Sequence, residues 1–238
     1  MFQEKRVTAV LLAGGSGSRF GGAKNKVYVE ANGLPILEYS RRALEASPLV
    51  DELVIVVRKE DEKEIQKFLI RTKKPVQMVL GGATRQESVY HALKAAGGEI
   101  VLIQDGARPM LTERYIRDCI EQMAFYPGAT IAVRSKDTIK LSNTEGIVVS
   151  TTRRADTWIV QTPQCFQKEV LLSAHEKERG NLEITDDCML LELAGLPVKL
   201  VEGEYSNIKV TTGEDLALAE RFLELQAGEG EEQDHGKK

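Results

Sequence analysis

Short apolar runs bounded by turn residues or charges recur along the chain at residues 7–13, 53–57, 76–80, 100–103 and 130–133, each with the length of a buried strand. Between them, apolar positions fall at helical spacing over 36–46, 60–70, 85–96 and 112–124, and helical patterns return over 168–179, 186–194 and 214–226. Strands alternating with helices predict a parallel sheet covered on both faces. In such sheets ligands bind beyond the carboxyl ends of the strands, so functional residues are sought just after each run. Residues 137–149 break the rhythm, with β-type residues on either side of Asn143-Thr144-Glu145-Gly146, the pattern of a hairpin. That hairpin is either a local lid or an arm embracing another subunit. From residue 227 onward the chain offers no apolar side chain beyond one alanine, and a disordered tail is expected over 227–238.

Composition narrows the class. A chain of 238 residues fits one domain that buries a core without disulfides or a structural metal. With 32 basic against 36 acidic residues the net charge is −4, which argues against nucleic-acid binding through a broadly basic face. Any anionic ligand must therefore meet a local cluster of cations. No window approaches 18 uninterrupted apolar residues, and the first six residues lack the pattern of a secretory signal, so neither a membrane span nor export is expected. Cys119, Cys165 and Cys188 are widely spaced and form neither a disulfide framework nor a metal pair; a reducing cytoplasm is the expected compartment.

The first strand empties into Ala13-Gly14-Gly15-Ser16-Gly17-Ser18-Arg19-Phe20-Gly21-Gly22. Closely spaced glycines let the backbone approach a ligand and leave N–H groups for phosphate oxygens. A dinucleotide fingerprint beginning at Gly15 and Gly17 requires glycine where Phe20 stands, and the G-K-[ST] ending of a P-loop does not occur, so hydride transfer and P-loop chemistry are both disfavoured. Arg19, Lys24 and Lys26 follow the glycines, where a triphosphate needs neutralisation. Phosphoryl or nucleotidyl transfer is the natural chemistry.

The ordered motifs Leu-Ala-Gly-Gly-Ser-Gly-Ser-Arg (12–19) with Lys26, then Gly81-Gly82-Ala83-Thr84-Arg85-Gln86-Glu87-Ser88-Val89, Asp105-Gly106-Ala107-Arg108-Pro109, Asp137-Thr138, Arg154, Gln161-Thr162-Pro163-Gln164, Thr185-Asp186-Asp187 and Asn207-Ile208-Lys209-Val210-Thr211-Thr212 resemble those of the 2-C-methyl-D-erythritol 4-phosphate cytidylyltransferases, over residues 6 to 225. The resemblance implies an α/β fold, a Rossmann-like, mostly parallel sheet flanked by helices, in one nucleotidyltransferase domain over 1–226. A protruding β-hairpin arm is expected at about 136–157, exchanged between the subunits of a homodimer. It implies transfer of a cytidylyl group from CTP to 2-C-methyl-D-erythritol 4-phosphate with Mg²⁺. The nearest alternative is a cytidylyltransferase acting on ribitol 5-phosphate; a nucleotide-binding subunit without activity would have lost the cations that this chain keeps.

By that resemblance Ala13, Gly14, Gly15, Ser16 and Gly17 wrap the CTP phosphates, while Arg19 and Lys26 stabilise the transition state at the α-phosphorus. Gly82, Ala83 and the Ser88 hydroxyl read the cytosine, with Arg85 supporting their loop. Asp105 and Gly106 lie near ribose, and Asp105 is the metal candidate, since Mg²⁺ bridging a triphosphate needs only one or two protein carboxylates. Arg108 either contacts the acceptor or locks its loop. Thr138, Arg153, Arg154 and Lys209 contact the acceptor phosphate, Arg154 and Lys209 holding it for attack, and Thr162 pins the loop beneath. Asn25-Lys26-Val27 stands where Pro-Lys-Gln is common, which leaves Lys24 as a competitor for Lys26, although the spacing from Arg19 and Tyr28 favours Lys26. Ala83 replaces a common aspartate, and Arg153 a common acidic residue. No general base is required, because a phosphate monoester is already anionic near neutral pH, and His91, His175 and His235 are read as non-catalytic.

Overall fold

The protein is described from a computed structural model covering residues 1–15, 25–69 and 72–235, with side chains up to residue 227. Seven strands form the central sheet: β1 (Val7–Leu12), β4 (Glu52–Val57), β5 (Val76–Leu80), β6 (Ile100–Asp105), β7 (Gly128–Arg134), β10 (Trp158–Gln167) and β11 (Val198–Glu202). Two small ribbons stand apart from it, β2 (Glu30–Ala31) with β3 (Leu34–Pro35), and β8 (Lys140–Ser142) with β9 (Val148–Thr151). The helices are α1 (Ile36–Ala46), α2 (Glu62–Leu69), α3 (Arg85–Ala95), α4 (Glu113–Glu121), α5 (Lys168–Lys177), α6 (Asp187–Leu193) and α7 (Gly213–His235).

The order across the sheet is β11-β7-β10-β6-β1-β4-β5. Every neighbouring pair is parallel except those of β10, which runs antiparallel to both β6 and β7. The chain winds outward from β1 to β4 and β5, then returns to place β6 on the other side of β1. A crevice opens at such a reversal, beyond the carboxyl ends of β1 and β6.

Alternation along the strands produces two cores. Val7, Ala9 and Leu11 of β1 join Leu53, Ile55, Leu102 and the buried faces of α1 and α4 on one side; Val10, Val54, Val56, Val101 and Ile103 join α3, α5 and α6 on the other. Both faces being covered explains why these strands read as continuous apolar runs. Threonine caps start α3 and α4, with Thr84 accepting from the Glu87 N–H and Thr112 from the Tyr115 N–H, and Asp186 caps α6 in the same way.

The mostly parallel sheet flanked by helices agrees with the expectation from sequence, and most elements lie within two residues of it. Strands β10 and β11 went unread. β10 carries Pro163 and four polar residues, so its alternation is weak, and its ladder with β7 shifts register between Val160 and Gln164, where proline is tolerated. Lys209 lies in the irregular segment between β11 and α7. The backbone of α7 also continues past Gln226 to His235, through residues read as a disordered tail; the glutamate and glutamine residues of that stretch have high helix propensity. The hairpin forms as expected, turning at Gly146 with φ of +79°, a conformation that glycine adopts without strain. Both of its strands are exposed throughout. Among the described residues no helix is long and apolar enough to cross a membrane.

Candidate active site

A cavity of about 670 Å³ opens at the strand-order reversal, floored by Leu12, Gly14 and Gly15 after β1 and by Asp105 and Gly106 at the end of β6. Gly106 is required there: a Cβ would stand 2.7 Å from both the Leu12 carbonyl oxygen and the Leu37 side chain. Ala13, assigned to the nucleotide, is also tied into the fold. Its N–H donates to the Val56 carbonyl at 2.8 Å and its carbonyl accepts from the Asn25 amide at 2.7 Å. Ser16, Gly17, Arg19 and Lys24 lie outside the described residues. Past them, Asn25 caps a single 3-10 turn, Lys26–Tyr28, which brings Lys26 to the cavity wall.

The segment after β5 forms the opposite wall. Gly82, Ala83, Arg85 and Ser88 all line the cavity, as the motif implies. Hydrogen bonds within the segment fix its shape. The Ser88 hydroxyl accepts from the Gly82 N–H at 3.0 Å and donates to the Thr84 carbonyl at 2.9 Å, while the Ala83 N–H donates to the Glu87 carboxylate at 2.7 Å. Thr84 caps α3, and the Glu87 carboxylate reaches back past the cap to the Ala83 N–H. The Gly82 and Ala83 N–H groups and the Ser88 hydroxyl are thus engaged within the loop.

Asp105 is the electrostatic centre. Its N–H donates to the Thr162 hydroxyl at 3.1 Å, and that hydroxyl donates in turn to Gln104 Oε1 at 3.0 Å, so Thr162 pins the end of β6. Lys209 Nζ lies 2.8 Å from Asp105 Oδ2, Arg108 Nε 3.8 Å from the same oxygen, and Arg85 Nε 3.7 Å from Oδ1. Burial alone would push the Asp105 carboxyl up; Arg85, Lys209 and Arg108 outweigh it and hold the group well below the usual carboxylate range. Arg85 also donates to Asp187 Oδ2 at 2.7 Å. Against its own burial, Arg85 together with His175, whose Nε2 is 3.6 Å away, holds the Asp187 carboxyl down. Burial pulls the Arg108 guanidinium below its ordinary value despite Asp105.

On the far side of this centre lies a second cavity of about 430 Å³, lined by Arg108, Thr162, Gln164, Thr185 and Asp186. Arg85, Asp105 and Lys209 line both cavities and form the partition between them. Arg108 Nη1 donates to the Asn207 carbonyl at 2.8 Å, whereas its buried Nε has no hydrogen-bond partner among the described residues. Arg108 therefore does lock its loop, with its Nε turned toward Asp105 at 3.8 Å.

Thr138, Arg153 and Arg154 line neither cavity. Arg154 Nη2 donates to Thr138 Oγ1 at 3.0 Å and Arg153 pairs with Asp156 at 3.3 Å, all on the exposed arm. Sequence reasoning kept Thr185-Asp186-Asp187 as a family motif without giving Asp187 a role, and it missed Arg58 and Lys59, which line the first cavity beyond β4. The signal for both was position, each following a strand or opening a helix beside the crevice. Among the described residues no group of three His, Cys, Asp or Glu side chains could hold a metal ion.

Comparison with known proteins agrees with this geometry. The family model of 2-C-methyl-D-erythritol 4-phosphate cytidylyltransferase (IspD) matches residues 7–225. The chain is 42% identical over 225 residues to the 2-C-methyl-D-erythritol 4-phosphate cytidylyltransferase of Clostridium perfringens, covering 92% of this chain and 99% of that one. It is 40% identical over 229 residues to that of Pelotomaculum thermopropionicum, covering 94% and 96%. Among solved structures, 4-diphosphocytidyl-2C-methyl-D-erythritol synthase from Anaerococcus prevotii superposes with a TM-score of 0.84 at 33% identity, covering 92% of this chain and 99% of that one. A match spanning nearly the whole chain means that this protein belongs to the 2-C-methyl-D-erythritol 4-phosphate cytidylyltransferase family.

Proposed function

We propose that the chain transfers the cytidylyl group of CTP to 2-C-methyl-D-erythritol 4-phosphate, releasing pyrophosphate and 4-diphosphocytidyl-2-C-methyl-D-erythritol, a step of isoprenoid precursor synthesis. The observation that carries this reading is the partition: Asp105 with Lys209 at 2.8 Å stands between a larger cavity reached by Lys26 and a smaller one reached by Arg108. Two phosphate compounds seated on either side meet at that partition.

An oxygen of the acceptor phosphate forms a bond to the α-phosphorus, the bond from that phosphorus to the β-bridging oxygen breaks, and its electron pair leaves on pyrophosphate. The attacking oxygen is already anionic, so no side chain needs to remove a proton. Negative charge gathers on the α-phosphoryl oxygens, and Lys26 stabilises it from the first cavity, with Arg19 assigned the same role by its motif. Lys209 and Arg108, which line the second cavity, hold the acceptor phosphate in line, which is catalysis by orientation. Asp105 keeps Lys209 in place and prevents three cations from repelling one another. Its single hard carboxylate fits the manner in which Mg²⁺ is commonly held, by one or two carboxylates together with substrate phosphates. Mg²⁺ bound there supplies further neutralisation of the triphosphate.

Thr138, Arg153 and Arg154 reach an acceptor only if the arm of one chain enters the second cavity of another. The arm supports this: Leu141, Ile147, Val148 and Val149 are each more than half exposed, an apolar surface that a lone chain would leave to water. A homodimer with exchanged arms is the assembly that uses it.

Incubation with CTP, Mg²⁺ and either acceptor, with pyrophosphate measured, tests the reading. Turnover with methylerythritol phosphate is expected, and turnover with ribitol 5-phosphate alone would replace it with the nearest alternative. Tight CTP binding without pyrophosphate from either acceptor would make the protein a binding subunit.

A further inference from the structure

Beside the cavity sits a buried amide that the reaction as described does not use. Asn25 is 1% exposed although it adjoins the cavity-lining Lys26. Its Nδ2 donates to two acceptors, the Ala13 carbonyl at 2.7 Å and Asp61 Oδ2 at 2.9 Å, and its Oδ1 accepts from the Val27 N–H at 3.4 Å. Asp61 is itself held by a fork from Arg58, with Nε at 2.7 Å and Nη2 at 3.0 Å. One side chain thus ties the end of β1, the turn that begins with Lys26, and the segment after β4.

The chemistry of that junction admits few residues. Ala13 and Asp61 both present oxygen acceptors, so the group between them must supply two donors, and Val27 asks it for an acceptor as well. A primary amide on a short stem does all three. Aspartate at 25 would set its carboxylate against a carbonyl and a second carboxylate with no proton between them; serine supplies one donor for two acceptors. We propose that Asn25 is a positioning residue that fixes Lys26 relative to the end of β1, so that its ammonium meets the α-phosphate without reorganisation at the moment of reaction. The proposal rests on the reading of Lys26 given above. Asn25 touches no reacting atom, and it acts through the backbone on which Lys26 is carried.

The test is steady-state kinetics of the full chain with CTP and methylerythritol phosphate, at a temperature well below the unfolding midpoint of each variant. Asn25→Asp is expected to lower kcat by about tenfold or more while the KM for CTP changes by less than about threefold, the split that marks a contact strengthened in the transition state. Asn25→Ser, which keeps one donor, falls between that variant and wild type, and it serves if Asn25→Asp does not fold. Asn25→Asp combined with Asp61→Asn places one amide donor back between the two positions and recovers part of the lost kcat. A purely structural role would not produce the decisive result: in a Lys26→Ala background, Asn25→Asp costs less than about twofold, because the group it positions is gone. If Lys26→Ala itself leaves kcat intact, the reading of Lys26 falls and the proposal with it. If Lys26→Ala is slow but both Asn25 variants keep full kcat, or their losses multiply fully onto it, the proposal alone is overturned.

Discussion

Around Asp105, three cations lie within 4 Å of one buried carboxylate; Thr162 and Asn207 tie the surrounding segments to the sheet, and the Ser88 hydroxyl holds the loop after β5. The hairpin of β8 and β9 has the opposite character: Val148 and Val149 stand 55% and 69% exposed, and the Thr138–Arg154 pair at its base has no core beneath it. The first region is complete within one chain and preorganised, as stabilisation of a transition state demands. In the proposed dimer the second meets a surface supplied by another chain. Lesions in the crevice should therefore act on the rate of chemistry in every molecule, whereas lesions in the arm should act on acceptor binding and on assembly, and should be repairable by another chain.

The largest effect expected is that of Lys26→Ala, a loss of roughly 100 to 1000-fold in kcat with little change in the KM for CTP, checked by pyrophosphate release. Next comes Asp105→Asn, which leaves Arg85, Arg108 and Lys209 facing one another; about tenfold or more should be lost from kcat, with a lower unfolding temperature by calorimetry. Arg154→Ala should raise the KM for the acceptor by roughly tenfold and leave that for CTP unchanged, as expected of a group that binds ground and transition states alike. Mixing Lys26→Ala and Arg154→Ala chains, assayed at an acceptor concentration well below KM where each alone is slow, sharpens the contrast. Half of the randomly reassorted dimers carry one intact composite site, so roughly a quarter of wild-type activity should return if the arms are exchanged. No recovery would confine both lesions to one chain.

The smallest effect is on acid stability. Asp105 and Asp187 are held below the ordinary carboxylate range, so the folded chain binds fewer protons than the unfolded chain as pH falls. Their contribution is complete above about pH 4, where unfolded carboxylates are ionised, and is lost as pH drops toward the lower folded values. The unfolding temperature should fall below about pH 4, less steeply in Asp187→Asn than in wild type.

The crevice was legible in the sequence because its parts obey local rules. Glycines after β1, Asp105 after β6 and a threonine cap opening α3 are each set by strand ends and helix starts that apolar periodicity reveals. What the sequence could not disclose was which hydrogen bonds close within the protein. Ser88 and the N–H groups of Gly82 and Ala83 turn to one another and to Glu87, and Ala13 is taken up by Val56 and Asn25; these partners are set by where the chain passes in space. Asp187 escaped for a similar reason, since its role depends on Arg85, on another helix and 102 positions away. β10 hid because a strand that turns at Pro163 to deliver Thr162 beneath Asp105 cannot alternate cleanly. Thr138 and Arg154 were readable as a motif, and the structure pairs them at 3.0 Å on the exposed arm.

The most direct test of the central claim follows oxygen. With ¹⁸O in the phosphate of methylerythritol phosphate and unlabelled CTP, ³¹P spectra should place label in the bridge between the two phosphorus atoms of the product and none in the pyrophosphate released. Label in pyrophosphate, or a product bridge free of it, would contradict attack by the acceptor phosphate on the α-phosphorus.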